Sequence, residues 1–89
     1  MEYSFKTKML DGDIQLSPLQ AKIFEIVLKE DGHMIRTEDI IKIIKEEVGI
    51  IVTMEHLRIQ IYRINQKSKG LIKNRPCHGY YIDKEIKFS

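Results

Sequence analysis

The stretch Ser17-Pro18-Leu19-Gln20 restricts the possible folds of this chain more than any other, because it specifies where a helix starts. Ser17 can accept hydrogen bonds from the free amides of a helix start, Pro18 suits the first helical position, and Gln20 completes a capping box. Asp31-Gly32 is the predicted end of this first helix, which reaches about Glu30. Between these limits apolar residues recur at helical spacing, at Ile23, Phe24, Val27 and Leu28.

A second helix is predicted from Thr37 to Gly49. Thr37 is the expected cap, and Glu38 and Asp39 place negative charge at the positive end of the helix dipole. Gly49 is the expected stop, and a short apolar link follows at residues 50–52. The predicted buried face has apolar residues at helical spacing: Ile40, Ile41, Ile44 and Val48.

The third predicted helix, residues 53–68, carries two different faces and ends before Gly70. Leu57, Ile61 and Ile64 form the expected buried stripe, which fixes the direction of the core. The opposite face mixes charged, amide, aromatic and aliphatic side chains, namely Glu55, Ile59, Tyr62, Arg63 and Gln66, with His56 and Arg58 on its flanks. Such a mixture suits the base edges of the DNA major groove. For Ile59 and Tyr62, packing beneath the following segment is an equally good interpretation.

Short strands are predicted before and after the helices in the sequence. Residues 3–9 alternate like a half-buried strand, Asp11-Gly12 is a turn, and residues 14–16 return, which gives an N-terminal antiparallel β-hairpin. Residues 70–83 are predicted to form a basic β-hairpin with Gly79 at its tight tip. Tyr80 and Tyr81 would anchor opposite faces of its return strand. This order predicts an α+β fold of the winged helix-turn-helix type.

The predicted organisation is a single domain over residues 1–89, because a chain of this length has one core. It divides into N-terminal strands (1–16), a three-helix core (17–69) and the hairpin, or wing (70–83). Charge divides it differently: residues 1–52 carry seven Lys/Arg against ten Asp/Glu, whereas residues 53–82 carry six Lys/Arg against Glu55 alone. The basic part points to a polyanion partner, and a merely solvated basic surface is the alternative.

Composition excludes several other functions. A single cysteine allows no internal disulfide, so Cys77 is expected to be a free thiol in a turn. Three separated histidines offer no metal-ligand spacing, and there is no carboxylate pair, nucleophile–base arrangement or phosphate-cradling glycine loop. We therefore expect no enzyme, no metal and no cofactor. Without a long apolar run or a signal peptide, a cytoplasmic protein with no membrane partner is expected.

Four stretches in the correct order resemble the C-terminal DNA-binding domain of OmpR/PhoB-type response regulators, which is a winged helix. They are IQLSPLQAKIFEIVL, GHMIRTEDII, LRIQIYRI and LIKNRPCHGYYI, and the likeness covers about residues 14–82. Two positions of the third helix differ from the family pattern, since Tyr62 and Asn65 stand where the family has basic residues. We expect no receiver domain before the module, and the resemblance therefore does not imply phosphorelay control.

The resemblance implies a set of DNA-binding residues. Groove-reading positions on the third helix would be Ile59, Gln60, Tyr62, Arg63 and Asn65, and backbone contacts from the wing would be Lys73, Asn74 and Arg75. Arg58, Gln66 and Lys67, from the same basic part of the chain, complete the set. The predicted function is sequence-specific binding of double-stranded DNA in transcriptional regulation. The alternative is a winged helix that contacts protein, for instance RNA polymerase, and a second copy of the chain is a further candidate partner.

Overall fold

The computed structural model describes residues 1–88, which form three helices and six short strands. The helices are α1 (Pro18–Leu28), α2 (Thr37–Val48) and α3 (Met54–Ser68). The strands are β1 (Glu2–Ser4), β2 (Met9–Leu10), β3 (Ile14–Gln15), β4 (Lys73–Arg75), β5 (Gly79–Tyr81) and β6 (Lys87–Phe88). The predicted α+β class is confirmed, with the strands arranged in two sheets.

The N-terminal strands belong to a four-stranded sheet of order β3-β2-β1-β6, which is larger than the predicted hairpin. The prediction of one strand over residues 3–9 is wrong, because the chain turns between β1 and β2. The Lys8 amide donates to the Ser4 carbonyl at 2.8 Å, and Lys8 has a positive φ of 60°. The alternation of side chains that suggested a strand carries no information about such a turn. The predicted turn at Asp11-Gly12 is confirmed between β2 and β3.

Helix α1 starts as predicted and ends at Leu28, slightly before the predicted Glu30. The capping box is complete: the Ser17 hydroxyl accepts from the Gln20 amide, and the Gln20 side chain accepts from the Ser17 amide, each at 3.2 Å. On its buried face, the Phe24 ring packs against Tyr3 of β1, with ring centroids 4.9 Å apart. This contact attaches the four-stranded sheet to the helices.

Helix α2 corrects two details of the prediction. The cap is Arg36, in an extended conformation and without a side-chain capping bond, and Thr37 is the first helical residue. Val48, predicted to be buried, is 46% exposed, whereas Ile40 and Ile44 are buried as predicted. All four residues of the last turn, 45–48, are exposed, so this end of the helix lies outside the core. The predicted stop is confirmed, with Gly49 in the left-handed conformation.

Helix α3 agrees with the prediction in its limits and in its buried stripe. The Thr53 hydroxyl accepts from the His56 amide at 3.0 Å, and Leu57, Ile61 and Ile64 are buried. The helix ends at Ser68, and Lys69 and Gly70 both adopt positive φ angles that turn the chain towards the hairpin.

The predicted C-terminal hairpin is present as β4 paired with β5, but Gly79 is not at its tip. The tip comprises residues 76–78, where Cys77 takes a left-handed conformation. As predicted, Cys77 is a free thiol in a turn, and it is exposed. Gly79 begins β5 with φ +129°, and a Cβ atom there would collide with the backbone carbonyl of Ile35. Next to it, Tyr80 exchanges two backbone hydrogen bonds of 2.9 Å with Ile35. The hairpin is thereby paired with the segment that leads into α2.

One cluster of buried apolar side chains joins the two sheets and the three helices, from Tyr3 in β1 to Ile86 before β6. Tyr80 of the hairpin is part of this cluster, whereas Tyr81 is only half-buried. Within residues 1–88, no helix combines the length and the apolar character needed to cross a bilayer.

Candidate nucleic-acid interface

The outward face of α3 exposes side chains of mixed chemistry. Tyr62 is 61% exposed and Ile59 is 43% exposed, so neither side chain is buried beneath the hairpin. Arg63 and Gln66 are exposed on the same face, and Gln66 Nε2 donates to the Tyr62 hydroxyl at 3.1 Å. This bond holds two of the polar groups together at the surface and leaves the Gln66 carbonyl free to accept.

Eight of the eleven residues predicted to bind DNA lie exposed on α3 or on the hairpin and, within residues 1–88, make no side-chain hydrogen bond to another element. They are Arg58, Ile59, Tyr62, Arg63 and Gln66 on the helix, and Lys73, Asn74 and Arg75 on β4. Because α3 leads into β4 through a short connection, these side chains belong to neighbouring elements of the chain.

The remaining three predicted residues, Gln60, Asn65 and Lys67, make bonds within the protein. The Gln60 side chain connects α3 to α1, because its Oε1 accepts from Gln20 Nε2 at 3.2 Å. Both polar atoms of the Asn65 side chain bond to the backbone of Ile72. Lys67 Nζ donates to Gln20 Oε1 at 2.8 Å and to a backbone carbonyl of β3. These three side chains connect α3 to its neighbours.

The four arginines of the chain, Arg36, Arg58, Arg63 and Arg75, are all exposed. Within residues 1–88, no side-chain hydrogen bond or ion pair involves any of them. Arg63, in particular, has no ion pair with an acidic residue in the described part of the chain. An arginine with five donors and no internal acceptor is available to an external anion.

Several lysines, in contrast, are engaged within the fold. Lys8 Nζ lies 2.8 Å from Glu25 Oε2, and Lys22 pairs with Glu47. The hydrogen bond and the charge of Lys22 lower the pKa of the Glu47 carboxyl. These pairs lie on the α1 side of the molecule. Within residues 1–88, the other nine lysines and all four arginines have no ion pair.

A cleft of about 660 Å³ opens between the first turn of α2, the first turn of α3 and the hairpin. Three of the four arginines line it, one from each element: Arg36, Arg58 and Arg75. Sequence analysis did not select Arg36, which lies in the acidic part of the chain. A basic residue directly before a helix start was the signal that could have identified it.

This part of the surface exposes four guanidinium groups, which are hydrogen-bond donors without an acceptor function. Among residues 1–88, no three His, Cys, Asp or Glu side chains are grouped as a metal site requires. No family model matches the chain, and neither a curated protein nor a solved structure matches it significantly. The function has to be inferred from the exposed helix face, the basic hairpin and the cleft between them.

Proposed function

We propose that this chain is a winged helix-turn-helix protein that binds a specific sequence in double-stranded DNA. In this interpretation α2 and α3 form the helix-turn-helix, α3 lies in the major groove, and the β4–β5 hairpin is the wing on the phosphate backbone. The resemblance of residues 14–82 to DNA-binding domains of the OmpR/PhoB type supports the same class. Regulation of transcription is the biological role that we propose for it.

The observation that carries the proposal is the set of exposed arginines without internal partners. Within residues 1–88 no ion pair involves them, although acidic residues are abundant in residues 1–52. Three of them, Arg58, Arg63 and Arg75, lie on α3 and the hairpin, which present no acidic residue except Glu55. An unpaired guanidinium forks onto guanine in the major groove or onto a phosphate.

The exposed face of α3 supplies the other contacts that base recognition needs. Arg63, near the centre of the face, can bind guanine, and Gln66 can bind adenine. Ile59 can contact a thymine methyl group, which would cover an aliphatic side chain that the fold leaves open to water. Lys73 and Arg75, on the hairpin, are placed to contact phosphates, which fix orientation rather than sequence.

A second candidate function, protein contact, is favoured by an apolar patch at the α2–α3 connection. Ile51 is 77% exposed, and Val48, Ile50 and Met54 are each between 45% and 46% exposed. Exposed apolar groups of this kind mark protein interaction surfaces. The patch suits a contact with RNA polymerase or another protein, and it is compatible with DNA binding by α3.

Selection of binding sites from random duplexes, followed by titration of the selected duplex at several salt concentrations, tests the proposal. The two phosphate contacts of Lys73 and Arg75 alone predict that the logarithm of affinity falls with the logarithm of salt at a slope of about −2, and further phosphate contacts make the slope steeper. Affinity for a scrambled duplex should be weaker by a factor of about 10³ or more. If no sequence is enriched and no duplex binds with a salt-dependent affinity, protein contact becomes the better interpretation.

A further inference from the structure

The cleft between α2, α3 and the hairpin brings together arginines that are far apart in the sequence. Arg36 precedes α2, Arg58 lies in the first turns of α3, and Arg75 ends β4. All three are exposed, and within residues 1–88 none has an ion pair or a side-chain hydrogen bond. Three like charges around one cleft repel each other, so an anion bound there would relieve the repulsion.

The start of α2 adds hydrogen-bond donors to the same cleft. The amides of Asp39 and Ile40 donate to the Arg36 carbonyl, whereas those of Thr37 and Glu38 have no acceptor in the described residues. A serine, threonine or aspartate at the cap position would accept from these amides, but an arginine cannot. The cap residue thus contributes positive charge and leaves donors free.

The cleft also contains one carboxylate, that of Glu38, which is exposed at its rim. His78 of the hairpin tip lies in the same cleft, with its Nδ1 next to the Pro76 carbonyl at 3.0 Å. Three arginines therefore face a single acid, and the cleft carries a positive charge. This arrangement favours a ligand with several acceptor oxygens and negative charge, which describes a phosphate group.

We propose that Arg36, together with Arg58 and Arg75, binds one backbone phosphate of the DNA duplex in this cleft. The inference rests on the proposed function and extends it, because it adds a contact from the start of α2 to those of α3 and the wing. Arg36 would clamp the strand on the side of the groove nearest α2. A DNA phosphodiester and free phosphate both present anionic oxygens to the arginines, and two experiments distinguish these ligands.

The first experiment compares Arg36→Gln with Lys42→Gln, which removes the same charge from an exposed position of α2 outside the cleft. Affinities for the selected duplex and for a scrambled one are measured across salt concentrations, after urea unfolding has shown that both variants are folded. Arg36→Gln should weaken binding to both duplexes about fivefold at 0.15 M salt and reduce the salt slope by about one. Lys42→Gln should leave the affinity and the slope close to those of the wild type.

The second experiment locates the phosphate by replacing single backbone phosphates of the selected duplex with uncharged methylphosphonates. One position should weaken binding to the wild type more than binding to Arg36→Gln, since the variant has already lost one of the three arginine contacts with that phosphate. As the free-phosphate arm, inorganic phosphate is titrated against the Thr37 amide signal in NMR. Saturation by millimolar phosphate, combined with unchanged duplex affinity in Arg36→Gln, would identify free phosphate as the ligand and overturn the inference.

Failure of this inference differs from failure of the proposed function. If Arg36→Gln binds like the wild type while the double change of Lys73 and Arg75 to Ala weakens binding, the cleft contact is wrong and the DNA-binding function stands. If the wild type binds no duplex in a salt-dependent way, the proposed function fails and this inference fails with it.

Discussion

The side-chain amide of Asn65 bonds to both polar backbone groups of Ile72. Asn65 Oδ1 accepts from the Ile72 amide, and Asn65 Nδ2 donates to the Ile72 carbonyl, each at 2.9 Å. Ile72 is only 3% exposed and leads directly into β4. Because a buried backbone group without a partner is costly, this pair holds the hairpin at a fixed position relative to α3.

Replacing Asn65 by alanine should therefore destabilise the protein by about 2 kcal/mol, since two backbone groups of Ile72 lose their partners. Urea unfolding followed by circular dichroism measures the change in the free energy of unfolding. Gln66→Ala, on the exposed face of the same helix, is the matched control and should change it by less than about 0.5 kcal/mol. Equal stability of the two variants would show that the Asn65–Ile72 bonds do not support the junction.

The close approach of Gly79 to Ile35 gives a second prediction. Gly79→Ala should destabilise the protein by about 3 kcal/mol, because the new methyl group displaces the Ile35 carbonyl and disturbs the two backbone hydrogen bonds between Ile35 and Tyr80. Gly12 also has a positive φ, of 77°, but nothing lies within 4 Å of its added Cβ. Gly12→Ala should therefore destabilise the protein by only about 1 kcal/mol, which is the cost of holding alanine in the left-handed conformation. Thermal and urea unfolding of both variants measure the two losses of stability. Equal losses would contradict a steric role for Gly79.

The buried hydroxyl of Tyr3 predicts a loss of stability at alkaline pH. The hydroxyl donates to Glu25 Oε2 at 2.5 Å, and burial, followed by the hydrogen bond and the charge of Glu25, raises the pKa of Tyr3. The folded state then keeps a proton that the unfolded state releases above its pKa of about 10. The stabilisation is therefore complete below pH 10 and falls above it, by at most about 1.4 kcal/mol per pH unit.

Unfolding free energies at pH 8, 10 and 11 for the wild type, Tyr3→Phe and Tyr62→Phe test this effect. Tyr3→Phe should lose less stability than the wild type between pH 10 and pH 11, although at pH 8 it should be about 1 kcal/mol less stable because a hydrogen bond is missing. Tyr62→Phe, at an exposed position, should follow the wild type. Parallel profiles for Tyr3→Phe and the wild type would contradict the assigned pKa shift.

Arg63 is the residue from which we expect sequence specificity. Arg63→Ala should cost about 1–3 kcal/mol of binding free energy on the selected duplex, and the preference should be lost at one base pair. Arg63→Lys should restore little, because an ammonium group cannot form the planar two-point contact with guanine. Affinities for the selected site and its single-base variants provide the measurement. A loss that is equal for every sequence would identify Arg63 as a phosphate contact.

The wing is expected to contribute affinity without specificity. Changing Lys73 and Arg75 together to alanine should weaken binding to the selected and the scrambled duplex alike, and should reduce the salt slope by about two. Lys42→Ala is the control for loss of charge outside the interface. An unchanged affinity and slope in the double variant would remove the hairpin from the proposed interface.

The helices could be predicted because interactions between residues close in the sequence determine where each helix begins and ends. Ser17 and Gln20 form the capping box within four residues, and Gly49 adopts the left-handed conformation that its position suggested. The turn between β1 and β2 was not predictable in this way, because Lys8 takes a positive φ that few non-glycine residues adopt. The fourth strand of that sheet depends on pairing between residues at opposite ends of the chain, which no local pattern reveals.

In the candidate site, too, some features could be predicted from local sequence and others could not. Tyr62, Arg63 and Gln66 lie opposite the buried stripe, and their exposure follows from helical geometry alone. Gln60 and Asn65 were selected by resemblance, although Gln60 lies three residues after Leu57 and Asn65 four after Ile61, beside the stripe. Helical spacing, given priority over the resemblance, would have predicted their contacts with neighbouring elements.

The parallel pairing of β1 with β6, in which Glu2 lies opposite Lys87 and Tyr3 opposite Phe88, has a consequence for synthesis on the ribosome. The first strand leaves the ribosome early, but its partner is translated only after every helix and the hairpin. Until then β1 presents an unpaired edge, and such edges readily associate with strands of other chains. Cotranslational folding of this sheet is thus completed last, by closure of a loop that contains nearly the whole chain.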